Sequence, residues 1–308
     1  MICLRSNCHI LYYLIIFLLA ACQQKTAEEA VFRLIVPQES GIVFSNDLHT
    51  SDTLNILSFE YMYNGGGVAV GDVNGDSLPD IFFSANMQSS RLYLNEGNLR
   101  FRDVTEEAGL MTDRWCTGAA MGDINGDGLL DIYVAVSQSS RATDRKNYCF
   151  INKGGLQFEE SAEALGIADT AYSTHAAFLD YDRDGDLDLY VLNATSDDLS
   201  RSLIRSKITD GSAASNDQLY RNDGEKGFTR VTSQAGILHE GFGLGVAVYD
   251  FNHDHWPDIL VTNDYLSDDL LYINQQDGSF SEQSADYFDH ISHFAMGNDV
   301  ADINGDEL

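Results

Sequence analysis

The chain is 308 residues long and carries 48 Asp and Glu against 18 Lys and Arg, a formal charge of −30. A sheath this acidic repels phosphate backbones and argues against nucleic acid as a partner. At 44% hydrophobic, with 16 Phe and 15 Tyr, the chain holds core-forming side chains that a disordered acidic tail lacks, and its length suits one large domain or two small ones.

The first 30 residues read as an address. Residues 1–21 hold a single Arg, Arg5, and an apolar run from Ile10 to Ala21. That run is too short for a membrane span of about 20 residues and has the length of a signal-peptide core. Leu19-Ala20-Ala21-Cys22 resembles the bacterial lipobox, which implies cleavage before Cys22 and a lipid on that cysteine. An ordinary secretory signal, with Cys22 incidental, is the alternative. Both readings export the protein. The first expects a cell-envelope lipoprotein of the outer membrane, held to the membrane by its lipid, with residues 22–30 as a linker.

From residue 31 to residue 308 the chain repeats itself. The pattern D-x-[ND]-x-D-x-x-x-D falls at Asp72-Asn74-Asp76-Asp80, Asp123-Asn125-Asp127-Asp131, Asp180-Asp182-Asp184-Asp188 and Asp250-Asn252-Asp254-Asp258. A fifth copy opens with Asp302-Asn304-Asp306. Successive copies start 51, 57, 70 and 52 residues apart, the span of a propeller blade of four short strands.

The flanks repeat as well. Small and β-branched runs before each pattern predict first strands over Gly67–Val70, Gly118–Met121, His175–Phe178 and Gly245–Val248. Second strands follow over Asp80–Phe83, Asp131–Val134, Asp188–Val191 and Asp258–Val261, and third strands over Leu92–Asn95, Cys149–Asn152, Leu219–Asn222 and Leu271–Asn274. Fourth segments open at Phe101, Phe158, Phe228 and Phe280, and the first three end in a Gly and an aliphatic residue. The stretch from Phe32 to Gly41-Ile42 reads as a fourth strand without a blade of its own. The expected fold is therefore all-β, a β-propeller with four full four-stranded blades and the start of a fifth. Cys116 and Cys149 fall on the first and third strands of one blade, about 10 Å apart and beyond disulfide reach, so two buried free thiols are expected.

In the nine-residue loop, positions 1, 3 and 5 turn side-chain oxygens inward, position 7 offers a carbonyl and position 9 returns a carboxylate. This is a hard-oxygen cage suited to Ca²⁺, and it makes the Asp and Asn residues of all five copies candidate metal ligands. An EF-hand needs Glu at position 12, where this chain has Phe83, Val134, Val191 and Val261. The fourth loop departs from the others by carrying His253 and His255.

The phrase G-x-A-x-G-D-x-N-G-D-x-x-x-D-I, at Gly67–Ile81 and Gly118–Ile132, resembles the FG-GAP/VCBS repeats of integrin α-like β-propellers. Leu92–Asn95 with Phe101–Leu110 looks like the bacterial branch often joined to an ASPIC/UnbV domain. The resemblance implies a seven-bladed propeller, of which this sequence would be a fragment, with calcium between the first and second strands of a blade.

Loops between second and third strands fall on the opposite face. Ser84–Arg91 and Asn263–Asp269 are short, while Ser137–Asn147 and Asn193–Asn216 are long and carry Arg141, Arg145, Lys146, Arg201, Arg205 and Lys207. On so acidic a protein this basic set is the candidate site for an acidic glycan or an envelope protein. The function expected is recognition, adhesion or scaffolding. The alternative is a calcium-dependent polysaccharide-degrading enzyme, but G-x-S-x-G, H-E-x-x-H and C-x-x-C are absent and the in-register carboxylates are committed to metal. No catalytic residue is assigned, and a non-enzyme is expected.

Overall fold

Each run of β-branched and aromatic residues becomes a strand, and each acidic nonapeptide becomes the tight connection between two of them. The computed structural model describes residues 32–194, 206–265 and 267–303. Among these, sixteen strands form four antiparallel sheets, each a meander of four consecutive strands. The first blade is β1 (Val68–Gly71), β2 (Asp80–Phe83), β3 (Arg91–Asn95) and β4 (Phe101–Asp103). The second is β5 (Cys116–Gly122), β6 (Asp131–Val136), β7 (Tyr148–Asn152) and β8 (Phe158–Glu160). The third is β9 (Tyr172–Leu179), β10 (Asp188–Ala194), β11 (Gln218–Asn222) and β12 (Phe228–Arg230), and the fourth is β13 (Gly243–Tyr249), β14 (Asp258–Asn263), β15 (Leu270–Asn274) and β16 (Phe280–Glu282). The expected all-β, blade-by-blade architecture is the one found.

First strands of successive blades lie side by side: β1 against β5, β5 against β9, β9 against β13. Small residues permit this approach. A Cβ on Gly118 would sit 2.7 Å from the Cα of His175 and 2.6 Å from the carbonyl oxygen of Thr174, so nothing larger than Gly fits between the two backbones. The series continues past the fourth blade, where the N–H of Ala295 bonds Asn263 and Gly297 meets Gly245 much as His175 meets Gly118.

The core lies between blades rather than inside one sheet. Phe82, Leu92 and Leu110 of the first blade bury against Ile132, Val134 and Phe150 of the second. Tyr133, Ile151 and Ile167 meet Leu189, Val191 and Tyr220 at the next seam, and Tyr190, Leu192 and Ile237 meet Ile259, Val261 and Tyr272 at the third. Because second strands are covered on both faces, β6 and β10 are buried at every residue. Each aliphatic or Phe side chain buried this way contributes roughly 1.5–3 kcal/mol.

Among the described residues α-helix is confined to single turns, α1 (Pro37–Ser40), α2 (Ala162–Leu165) and α3 (Ser284–Tyr287). The fourth strand expected near Phe32 does not form. Pro37 has no N–H for a ladder and opens α1 instead, and Phe32 and Leu34 are exposed. Residues 40–308 cluster as one compact unit. Cys116 and Cys149 are free and buried, as expected, and occupy different seams: Cys116 the first, Cys149 the second.

Candidate metal loops

The loops follow β1, β5, β9 and β13, and each closes on an Asp that begins the next strand. These ninth-position residues, Asp80, Asp131, Asp188 and Asp258, are fully buried. Both carboxylate oxygens of each are engaged by main-chain donors. Oδ2 accepts from the second loop residue, from Val73 at 3.0 Å, Ile124 at 3.1 Å, Tyr181 at 3.1 Å and Phe251 at 2.9 Å. Oδ1 accepts from the Asn that ends the third strand, from Asn95 at 2.8 Å, Asn152 at 2.7 Å, Asn222 at 2.8 Å and Asn274 at 2.8 Å. Burial pushes the Asp188 carboxyl up to about 7 and that of Asp131 up to about 6; the accepted N–H bonds oppose the rise, and neighbouring loop carboxylates add to it. Asp80 and Asp258 are raised for the same reasons.

The other ligand positions make Asx turns. Asp72 Oδ1 accepts from Gly75 at 2.8 Å and Oδ2 from Ser77 at 2.7 Å; Asp123 accepts from Asp127 and Gly128, and Asp250 from Asp254 and His255. Asn74, Asn125 and Asn252 each accept the N–H of the Asp two residues on, and Asp76, Asp127, Asp184 and Asp254 each accept the N–H two residues further.

The third loop differs. It has Asp182 where the others have Asn, and its Asp180, Asp182 and Asp188 each place an oxygen within 4.8 Å of the other two, the one such cluster among the described residues. Oδ1 of Asp180 and Oδ1 of Asp182 are buried and have no hydrogen-bond partner. Burial and Asp184 raise the Asp182 carboxyl. Convergent carboxylate oxygens that lack donors fit a hard divalent cation, and Ca²⁺ by its preference for six to eight oxygens. In the remaining loops each N–H bond occupies only part of an oxygen's acceptor capacity, so a cation and the Asx turns are compatible. Of the fifth copy, Asp302 is exposed, while Asn304 and Asp306 lie outside the described residues, as does Cys22.

The basic set is placed on the expected loops but does not converge. Arg141 pairs with Asp144 at 2.7 Å and remains largely exposed. The Arg145 guanidinium lies 4.0 Å above the Tyr172 ring and donates to the carbonyls of Thr170 and Ser139, Lys146 pairs with Glu163, and Lys207 pairs with Asp268. Arg201 and Arg205 lie outside the described residues.

The third-strand asparagines were missed as site residues. Their signal was the Asn that closes every third strand, in Leu-Tyr-x-Asn at Asn222 and Asn274 and in Cys-Phe-Ile-Asn at Asn152, read as a strand end and, at Leu92–Asn95, as a family mark. Asn152, Asn222 and Asn274 each send Nδ2 into the neighbouring loop, to the carbonyls of Val73, Ile124 and Tyr181, every time at 2.8 Å.

A family model described as FG-GAP-like repeat matches residues 72–134, 136–191, 208–261 and 250–308. The first three matched segments each end in or just after the second strand that follows an acidic loop, at Val134, Val191 and Val261. A comparison with curated proteins finds no match to the chain.

Proposed function

The chain belongs to the FG-GAP-like repeat family, and from that premise we propose a calcium-braced recognition or adhesion module of the cell envelope. The observation that carries the calcium reading is the third loop, where Asp180, Asp182 and Asp188 gather three carboxylates and leave two buried oxygens unpaired. Asp184 and the carbonyl of Asp186 complete the donor set that would hold the ion. The corresponding residues of the loops at 72–80, 123–131 and 250–258 would hold the others. Bound calcium supplies positive charge that offsets the repulsion among these carboxylates. This chain's own residues do the rest: the ninth-position Asp ties the loop to the third strand, and the Asx turns fix its curvature.

Loops of the extracellular type bind calcium with Kd near 10⁻⁴ to 10⁻³ M, so millimolar calcium stabilises each site by roughly 0.4–1.4 kcal/mol. Calorimetric titration of the full chain should show calcium binding that raises the melting temperature, with magnesium much weaker. Asp182→Asn should weaken the third site. A melting temperature that does not move at 10 mM calcium, roughly ten or more times that Kd, would refute the reading.

With calcium braces at one end of the blades, contact with a partner falls to the long loops at the other. There the β6–β7 loop carries the exposed Arg141 and also Lys146, which pairs with Glu163, and a cavity of about 200 Å³ opens between Tyr61, Gly118, His175 and Leu244. We assign these loops an anionic glycan or an envelope protein as ligand, bound without catalysis, on a protein anchored through lipid at Cys22. Reversing the charges of Arg141, Lys146, Arg201, Arg205 and Lys207 together should abolish retention on a glycan array or in an envelope pull-down. Undiminished retention would move the site elsewhere.

A further inference from the structure

One type of side chain crosses every seam at the level of the acidic loops. Asn152, Asn222 and Asn274 each donate Nδ2 to the second residue of the preceding blade's loop, at an unvarying 2.8 Å. That second residue sits between ligand positions one and three: Ile124 lies between Asp123 and Asn125, and Tyr181 between Asp180 and Asp182. Its own N–H is held by its blade's ninth-position Asp. The asparagine's N–H is held in turn by the ninth-position Asp of the next blade. The result is a continuous chain of hydrogen bonds, from Asp80 through Val73, Asn152, Asp131, Ile124, Asn222, Asp188, Tyr181 and Asn274 to Asp258. All ten residues are buried, so water does not compete for these bonds.

We propose that these asparagines are positioning residues that couple neighbouring loops, so that a divalent cation held in one loop raises the affinity of the loop in the preceding blade. The proposal rests on the calcium reading above and adds to it that the sites are not independent. Fixing Asp188 fixes the main chain of Asn222, which orients its side chain, which holds Ile124 and thereby the two ligand positions on either side of it. Linkage makes the effect reciprocal, so loop two strengthens loop three by the same factor.

A mutant cycle on the full chain tests this, with calcium chloride as the probe. Hydrogen exchange of peptides spanning residues 123–131 and 180–188 gives each loop its own calcium midpoint. Removing loop three with Asp180→Asn and Asp182→Asn should raise the midpoint of residues 123–131 by about fivefold or more. In an Asn222→Ala background the same removal should leave that midpoint within about twofold. An equal rise with and without Asn222 overturns the coupling while leaving the calcium reading intact. Absence of calcium-dependent protection in any loop of the unaltered protein overturns both. Should Asn222→Ala fail to fold, the cycle with Asn152→Ala, loop two removed by Asp123→Asn and Asp127→Asn, and residues 72–80 as the reporter gives the same decision.

Discussion

Asp217 and Asn147 occupy the same slot in adjacent blades and answer different chemical demands. Asn147 accepts the N–H of Val136 and donates to the Tyr133 hydroxyl; Asp217 accepts the N–H of Asn193 and the hydroxyl of Tyr190. Burial pushes the Asp217 carboxyl up to about 7, the two accepted bonds only partly opposing it. The unfolded chain releases this proton near its ordinary value of 3.8, whereas the folded chain keeps it until about 7. The folded state therefore binds more protons across that window, and stability falls as pH rises from about 4 to about 7, then levels. Asp217→Asn places in the third blade what the second already uses. It should flatten the fall by a few kcal/mol and raise the denaturation midpoint at pH 8 relative to the parent. Urea titrations at pH 5 and pH 8 check this, and parallel pH profiles for the two proteins would refute it.

At the scale of the loop and its flanking strands, the ninth-position Asp is a clamp before it is a ligand. Asp131→Ala would leave the N–H groups of Ile124 and Asn152 buried without acceptors, at about 1–3 kcal/mol each. Measured in chelator, where no cation contributes, Asp131→Ala should lower stability by roughly 2–6 kcal/mol, whereas Asp127→Ala, at an exposed ligand position, should cost under about 1 kcal/mol. Equal losses would show that the clamp carries no special weight. Strand positions and loop positions were legible in the sequence because both are local: alternation, β-branching and the spacing of Asp residues are set within one blade. The clamp was hidden because the same Asp satisfies the ligand pattern and the hydrogen-bond pattern, and spacing alone does not separate them. The seam-crossing asparagines were hidden because their acceptors, such as Val73 for Asn152, lie 79 residues away in the chain.

Across the whole molecule, the repeat seen in the sequence and the unit that buries a core are out of phase. Each of these hydrophobic clusters draws on two neighbouring blades, which is why Phe82 and Ile132, or Tyr190 and Ile259, had no visible relation in the sequence. The candidate partner loops were legible in position but not in state: Arg145 and Lys146, read as part of the basic partner site, lie against Tyr172 and Glu163. A blade taken alone would expose both faces of its second strand, so the array is expected to unfold seam by seam rather than sheet by sheet. The two buried thiols make that order observable. Burial pushes the Cys116 thiol up to about 11 and raises that of Cys149 as well, so neither reacts until its seam parts. Alkylation should be slow at both in the native protein. In rising urea the residue modified first identifies the weaker joint, Cys116 for the one between the first and second blades and Cys149 for the one between the second and third. The chain thus carries a pair of built-in clocks, one for each of two neighbouring seams, that can be read by mass without adding any foreign label to the sequence.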